Sequence, residues 1–196
     1  MHGFGIVAGL MAAFFQALSY PASRWFVRLE GASPRILLGM SHLWMGVGAL
    51  VLVAWLGLEG LRDIEVYGAA AVGTTGFYLG GQMGLFMALR RAESSDVAPL
   101  LGLKVIFLAT ISVLFSNQRF SIPQWGAIGL NVTAVFLLWE RRGRIPPRAW
   151  LGVCLAVVGY SLSDLSIKAL VERLPVYGEK APLAGVAVSY LLGAAV

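Results

Sequence analysis

The chain has 196 residues, 58% of them hydrophobic and 13% charged, with a formal net charge of +5 and a mean hydropathy of +0.78. Such a composition excludes a water-soluble domain and points to a polytopic membrane protein, whose spans must be helices because lipid offers no partner to the backbone of an open sheet. The single Cys154 excludes a disulfide or a cysteine-rich metal centre, and His42 has no second histidine or paired carboxylates nearby, so no metal is expected; no cofactor is expected either.

A span needs about 20 mostly apolar residues. The hydrophobic pattern predicts seven: Phe4 to Phe26, Ile36 to Leu58, Val66 to Leu89, Val97 to Phe115, Ile122 to Trp139, Ala149 to Leu170 and Pro182 to Val196. The first lacks a basic leader and a cleavage site and reads as a span rather than a signal peptide. It carries Gln16 and Tyr20, a run of small residues at Gly5, Gly9, Ala13 and Ala17, and Pro21, which can kink it. The second holds His42 between Ser41 and Trp44, either hydrogen-bonded packing or a polar group of a site. The third has Gly76, Gly80 and Gly84 four apart, a pattern that bares backbone for close helix packing, with Tyr78 and Gln82 sharing another face.

Lys104 stands about 10 Å inside the fourth span at 1.5 Å per residue. An ammonium at that depth faces a cavity or a partner; it is a structural amine, an anchor for an anionic or carbonyl-bearing solute, or a proton-linked switch. The fifth span contributes Asn131. The sixth contributes Tyr160, Ser163 and Asp164, the one carboxylate well inside a span, with Lys168 one turn further on. Asp164 and Lys168 either neutralise each other or leave Asp164 facing a cavity as a proton or cation site coupled to Lys104. Taken together, Gln16, Tyr20, His42, Tyr78, Gln82, Lys104, Asn131 and Tyr160 outline a polar solute site at mid-membrane depth. Trp44, Trp55, Trp125, Trp139 and Trp150 are placed as interface anchors. The seventh span is short and ends without a polar flank, and Pro175 and Pro182 mark loop edges or breaks around it.

Leu18 to Arg28 (LSYPASRWFVR) returns 144 positions later as Leu162 to Glu172 (LSDLSIKALVE). Five spans separate the copies, and an odd number reverses a repeat's direction through the bilayer, the inverted-repeat plan of secondary carriers. Residues 1–141 are expected to form one five-helix repeat and 149–196 the first two helices of a second, apparently cut short. Nine basic residues (Arg24, Arg28, Arg35, Arg90, Arg91, Arg141, Arg142, Arg144, Arg148) fall on one side and five (Arg62, Arg119, Lys168, Arg173, Lys180) on the other. That bias places the N-terminus outside and assigns the positive charge to lipid headgroups rather than nucleic acid.

The stretch Met87 to Trp139 resembles the core signature of the EamA-type drug/metabolite transporter superfamily: Ala88 and Leu89, the turn with Ala92 and Ser95, an apolar span, a second turn at Asn117 to Ser121, then Gln124, Trp125 and Gly126. Gln118 replaces the glutamate that family usually has in this turn, and Lys104 replaces a mid-span proline. The resemblance implies an all-α integral membrane bundle of about seven helices in this chain, with both termini of the family's proteins in the cytoplasm, opposite to the charge count. It further implies a multi-pass exporter in a bacterial inner membrane, moving a small organic solute by alternating access and coupled to a proton or solute gradient. A non-transporting membrane subunit would also explain so short a chain. An intramembrane enzyme would need a nucleophile with its base or a ligand cluster, and the spans offer neither.

Overall fold

Small residues placed on facing helical surfaces determine how this bundle is assembled. The computed structural model describes residues 2–30, 32–57, 64–116, 118–140, 145–174 and 180–195. Among these are α1 (His2–Arg28), α2 (Pro34–Leu56), α3 (Ile64–Leu89), α4 (Ser94–Leu100), α5 (Leu103–Ser116), α6 (Ile122–Glu140), α7 (Pro147–Arg173) and α8 (Ala181–Ala194). Leu58, Arg62, Asn117, Arg141, Arg142, Arg144, Pro175 and Val196, all used in the sequence reading, lie outside the described residues.

Four spans, at residues 34–56, 94–115, 122–139 and 147–172, are long and apolar enough to cross a membrane. Helices α1 and α3, with 27 and 26 residues, also exceed the required length. Leu114, Phe115, Ile122, Leu130 and Trp44 lie exposed on the outside of the bundle, a surface that lipid solvates and water would not. The chain is a polytopic helical membrane protein. Helix α2 starts cleanly because Ser33 caps the Ile36 amide at 3.3 Å and Pro34 occupies the first turn, where its missing N–H has no role. It stops at Gly57, whose φ of 81° a side chain would oppose.

Helices α3 and α7 share the most extensive interface. Gly81 and Gly84 on α3 meet Gly152, Ala156 and Gly159 on α7. A methyl added to Gly159 would come within 2.6 Å of the Gly81 backbone, and one added to Gly84 within 2.8 Å of the Ala156 nitrogen and the Gly152 carbonyl oxygen. Van der Waals contact between bare backbones replaces the hydrophobic drive that lipid removes. Hydrogen bonds add to it: Ser163 Oγ donates to the Thr74 carbonyl at 3.0 Å, and Thr75 Oγ1 donates across to the Ser189 carbonyl of α8 at 2.7 Å. Next to this seam lies the main core, with Phe86, Leu89, Val97, Leu100, Ala149 and Val153 all buried. A second seam joins α2 to α8 through Gly46 against Ala194, beside Ala49, Val53 and Ala187.

The expected glycine stripe is thus corrected. Of Gly76, Gly80 and Gly84, only Gly84 lies in a seam; Gly76 and Gly80 face open space. At 3.6 residues per turn a spacing of four drifts by about 40° per step, so a four-spaced run winds off the contact face. Gly73, Gly81 and Gly84, with Ala88, hold the face instead. Gly9 of α1 likewise has no neighbour, and Ala13 and Ala17 are exposed.

The fourth span is also corrected: it is two helices, not one. Leu101 and Gly102 separate α4 from α5, and here the backbone tightens to bonds three residues back, Gly102 N to Pro99 O at 2.9 Å and Lys104 N to Leu101 O at 3.0 Å. Pro99 weakens the turn before the interruption and Gly102, a poor helix former, stands in it. Pro21, by contrast, lies within a continuous α1, and Pro182 in the first turn of α8.

Gly84→Val and Gly159→Val are expected to destabilise the folded protein by about 2 kcal/mol or more through overpacking, while Gly76→Ala and Gly80→Ala stay within about 0.5 kcal/mol. Thermal unfolding of the detergent-solubilised variants measures the contrast; equal effects at all four positions would refute the seam.

Candidate functional site

The α3–α7 seam holds two rows of polar residues at one level, and the other helices close round them. The result is a cavity of about 470 Å³, within the range of small-molecule sites. Gln16 and Tyr20 of α1, His42 of α2, Tyr78 and Gln82 of α3, Lys104 of α5 and Tyr160 and Asp164 of α7 all line it. Asn131 alone of the expected residues does not. It stands on α6 against the break in the fourth span, where a methyl on Gly102 would lie 3.4 Å from its Oδ1, and that oxygen is buried with no hydrogen-bond partner.

Lys104 comes from the first turn of α5, in the middle of the 22-residue fourth span and about 15 Å from either end. Its Nζ lies 2.7 Å from Oδ2 of Asp164. The ammonium is 32% exposed and the carboxylate 40%, so the pair opens to the cavity and is not sealed in protein. The ammonium also stands 5.9 Å from the centre of the Tyr160 ring. Of the two partners the sequence left open for Asp164, the fold brings up the one on another helix. Lys168 reaches away, to Glu172 at 3.8 Å and the Gln118 Oε1 at 3.4 Å. Its long stem carries the charge toward the helix end, where solvation is cheaper than beside a carboxylate at mid-span.

An aromatic wall runs along the cavity. His42 and Tyr78 meet edge to face with centroids 5.6 Å apart, and Tyr78 and Tyr160 are tilted at the same separation. The Tyr160 hydroxyl donates to Gln82 Oε1, fixing both side chains from opposite sides of the seam. His42 is buried, with Nδ1 2.9 Å from the Leu38 carbonyl. That contact makes Nδ1 the donor and leaves Nε2, which is buried without a partner, as an acceptor.

Thr74, Thr75, Ser189, Tyr190 and Gly193 also line the cavity but were not singled out from sequence, apart from the short span that carries three of them. The Pro99 to Gly102 pair in the fourth span would have pointed to its break. At one end of the bundle Arg24, at the close of α1, forms a two-pronged ion pair with Glu93 ahead of α4, and Arg28 lies 4.0 Å from the same carboxylate. That cluster joins α1 to the start of the broken span, beyond the buried core from the cavity along α3.

Lys104→Gln and Asp164→Asn are each expected to destabilise the protein by about 1 kcal/mol or more, since each leaves a charge unpaired at mid-span. The double variant should lose less than the sum of the singles. Melting temperatures of the four proteins give the cycle, and strict additivity would deny the pair.

The sequence profile described as the EamA-like transporter family matches residues 3–140 of the chain. No curated protein and no solved structure matches it.

Proposed function

The chain belongs to the EamA-like transporter family, and so is a membrane transporter of the drug/metabolite superfamily; from that premise we propose that it is a secondary carrier of a small organic metabolite, working by alternating access. The observation that carries this reading is the mid-depth cavity with the Lys104–Asp164 pair in its wall. Ionised groups inside a membrane are expensive and are kept where they serve a path for solutes or ions. A cavity of this size with an aromatic wall and a few convergent polar groups suits a small metabolite.

Residues 1–141 form the first repeat and 149–196 open a second one of inverted direction, a reading supported by the extent of the family match and by the equal length of α1 and α7, 27 residues each. The interrupted fourth span beside Lys104 fits the discontinuous helices that carriers place at their solute sites. Glycine seams between α3 and α7 and between α2 and α8 provide surfaces on which helices can shift. Gln16, Tyr20, His42, Tyr78, Gln82, Lys104 and Tyr160 are the solute-facing residues, and Asp164 with Lys104 the coupling pair. Outward movement, a proton or solute gradient as driving force, and a bacterial inner membrane as location complete the proposal on family grounds.

Uptake and efflux of radiolabelled metabolites by protein reconstituted in vesicles, with and without an imposed pH gradient, test it. Saturable flux that the Asp164→Asn variant loses by about tenfold or more, while melting as a folded protein, is the expected result. Full gradient-driven flux in that variant would remove Asp164 from coupling, and the lack of flux for every solute would remove the carrier reading.

A further inference from the structure

Asp164 lies in the wall between two cavities. On one side is the solute cavity with Lys104. On the other is a mostly apolar groove of about 540 Å³ between α5, α6 and α7, whose lining includes Gln118, Gln124, Asp164 and Lys168. One carboxylate therefore has two lysines to choose from: Lys104, now at 2.7 Å from across the bundle, and Lys168, one turn along its own helix. The present contacts of Lys168 are long, 3.4 Å to an amide oxygen and 3.8 Å to Glu172 at the exposed helix end. Asp164 thus stands against Lys104 and one helical turn from Lys168, whose ion pair with Glu172 is the looser of the two.

We propose that the solute carries a single anionic group, which takes Lys104 over from Asp164 while Asp164 turns to Lys168. This rests on the reading of the cavity as the solute site and names the solute's class. Three features support it. A freed Asp164 has Lys168 one turn along its own helix, whereas a cationic solute that took Asp164 would leave Lys104 with no other carboxylate among the described residues that line the cavity. An ammonium has three donors, and Asp164 takes one of them, so Lys104 can receive a carboxylate or phosphate oxygen from the open cavity without first losing its partner. Lys168 then keeps Asp164 neutralised once α5, which begins at the Leu101–Gly102 break, carries Lys104 with the solute. Beyond the ammonium, the rings of Tyr160, Tyr78 and His42 form an apolar bed for the solute's body.

The test is calorimetric titration of the purified full chain in detergent with three probes of one shape: 3-phenylpropionate, 3-phenylpropylamine and 3-phenylpropanol. The anion is expected to bind about tenfold or more tightly than the amine and the alcohol. Lys104→Gln should lose that preference and Lys104→Arg keep it. Lys168 does not line the solute cavity, yet Lys168→Gln should weaken anion binding by about threefold in the otherwise unchanged protein and not at all in the Asp164→Asn background. Preference for the amine or the alcohol, no binding of any probe, or loss in both Lys104 variants with unchanged melting would overturn the anion assignment. An equal effect of Lys168→Gln in both backgrounds would overturn the exchange of partners. The titration is independent of flux: anion binding with no transport would sink the carrier reading alone, and transport without charge preference would sink this proposal alone.

Discussion

The close approach of α3 and α7 is the constraint on which the rest depends. Where Gly81 faces Gly159 and Gly84 faces Gly152, two backbones touch directly, and no larger residue can stand between them. In lipid such contact is among the few forces that hold helices together, since apolar side chains gain nothing by leaving one hydrocarbon phase for another. The same seam sets the register of the polar groups above it. With Gly81 against Tyr160, Gln82 receives the Tyr160 hydroxyl and Tyr78 lies beside the Tyr160 ring.

From that register follows the position of Asp164. One turn beyond Tyr160 on α7, it points toward α5, where the interruption at Leu101–Gly102 presents Lys104 from a first helical turn. A continuous helix would have a different phase on either side of this point. The break beside Pro99 and Gly102 is therefore part of the ion pair's geometry. The pair is stable at this depth because its members neutralise each other while remaining partly open to the cavity, a compromise between the expense of a buried charge and access for a solute.

The cavity is bounded unevenly. Below it, packed apolar residues and the Arg24–Glu93 pair join α1, α3, α4 and α7. Beside it, much of α1 exposes its large residues, Leu10, Phe14, Phe15 and Leu18 among them, so this wall is the least supported by its neighbours.

Composition determined the membrane class, and the length of the apolar runs determined the helices, because lipid admits only helices or closed barrels and runs of about 20 apolar residues fit a helical span. The depth of Lys104 and Asp164 along their spans, and seven of the eight polar residues that line one cavity, were also legible, since polar residues within long apolar runs are few enough to stand out one by one. What a linear pattern does not contain is the angle at which one helix meets another. The drift of a four-residue spacing misplaced Gly76 and Gly80, the contribution of α6 turned Asn131 toward a backbone break instead of the cavity, and the choice of Asp164 between a lysine on its own helix and one on another was made by packing. Only tertiary structure decides such matters, because they depend on which faces of different helices meet, and that is a property of the assembled bundle.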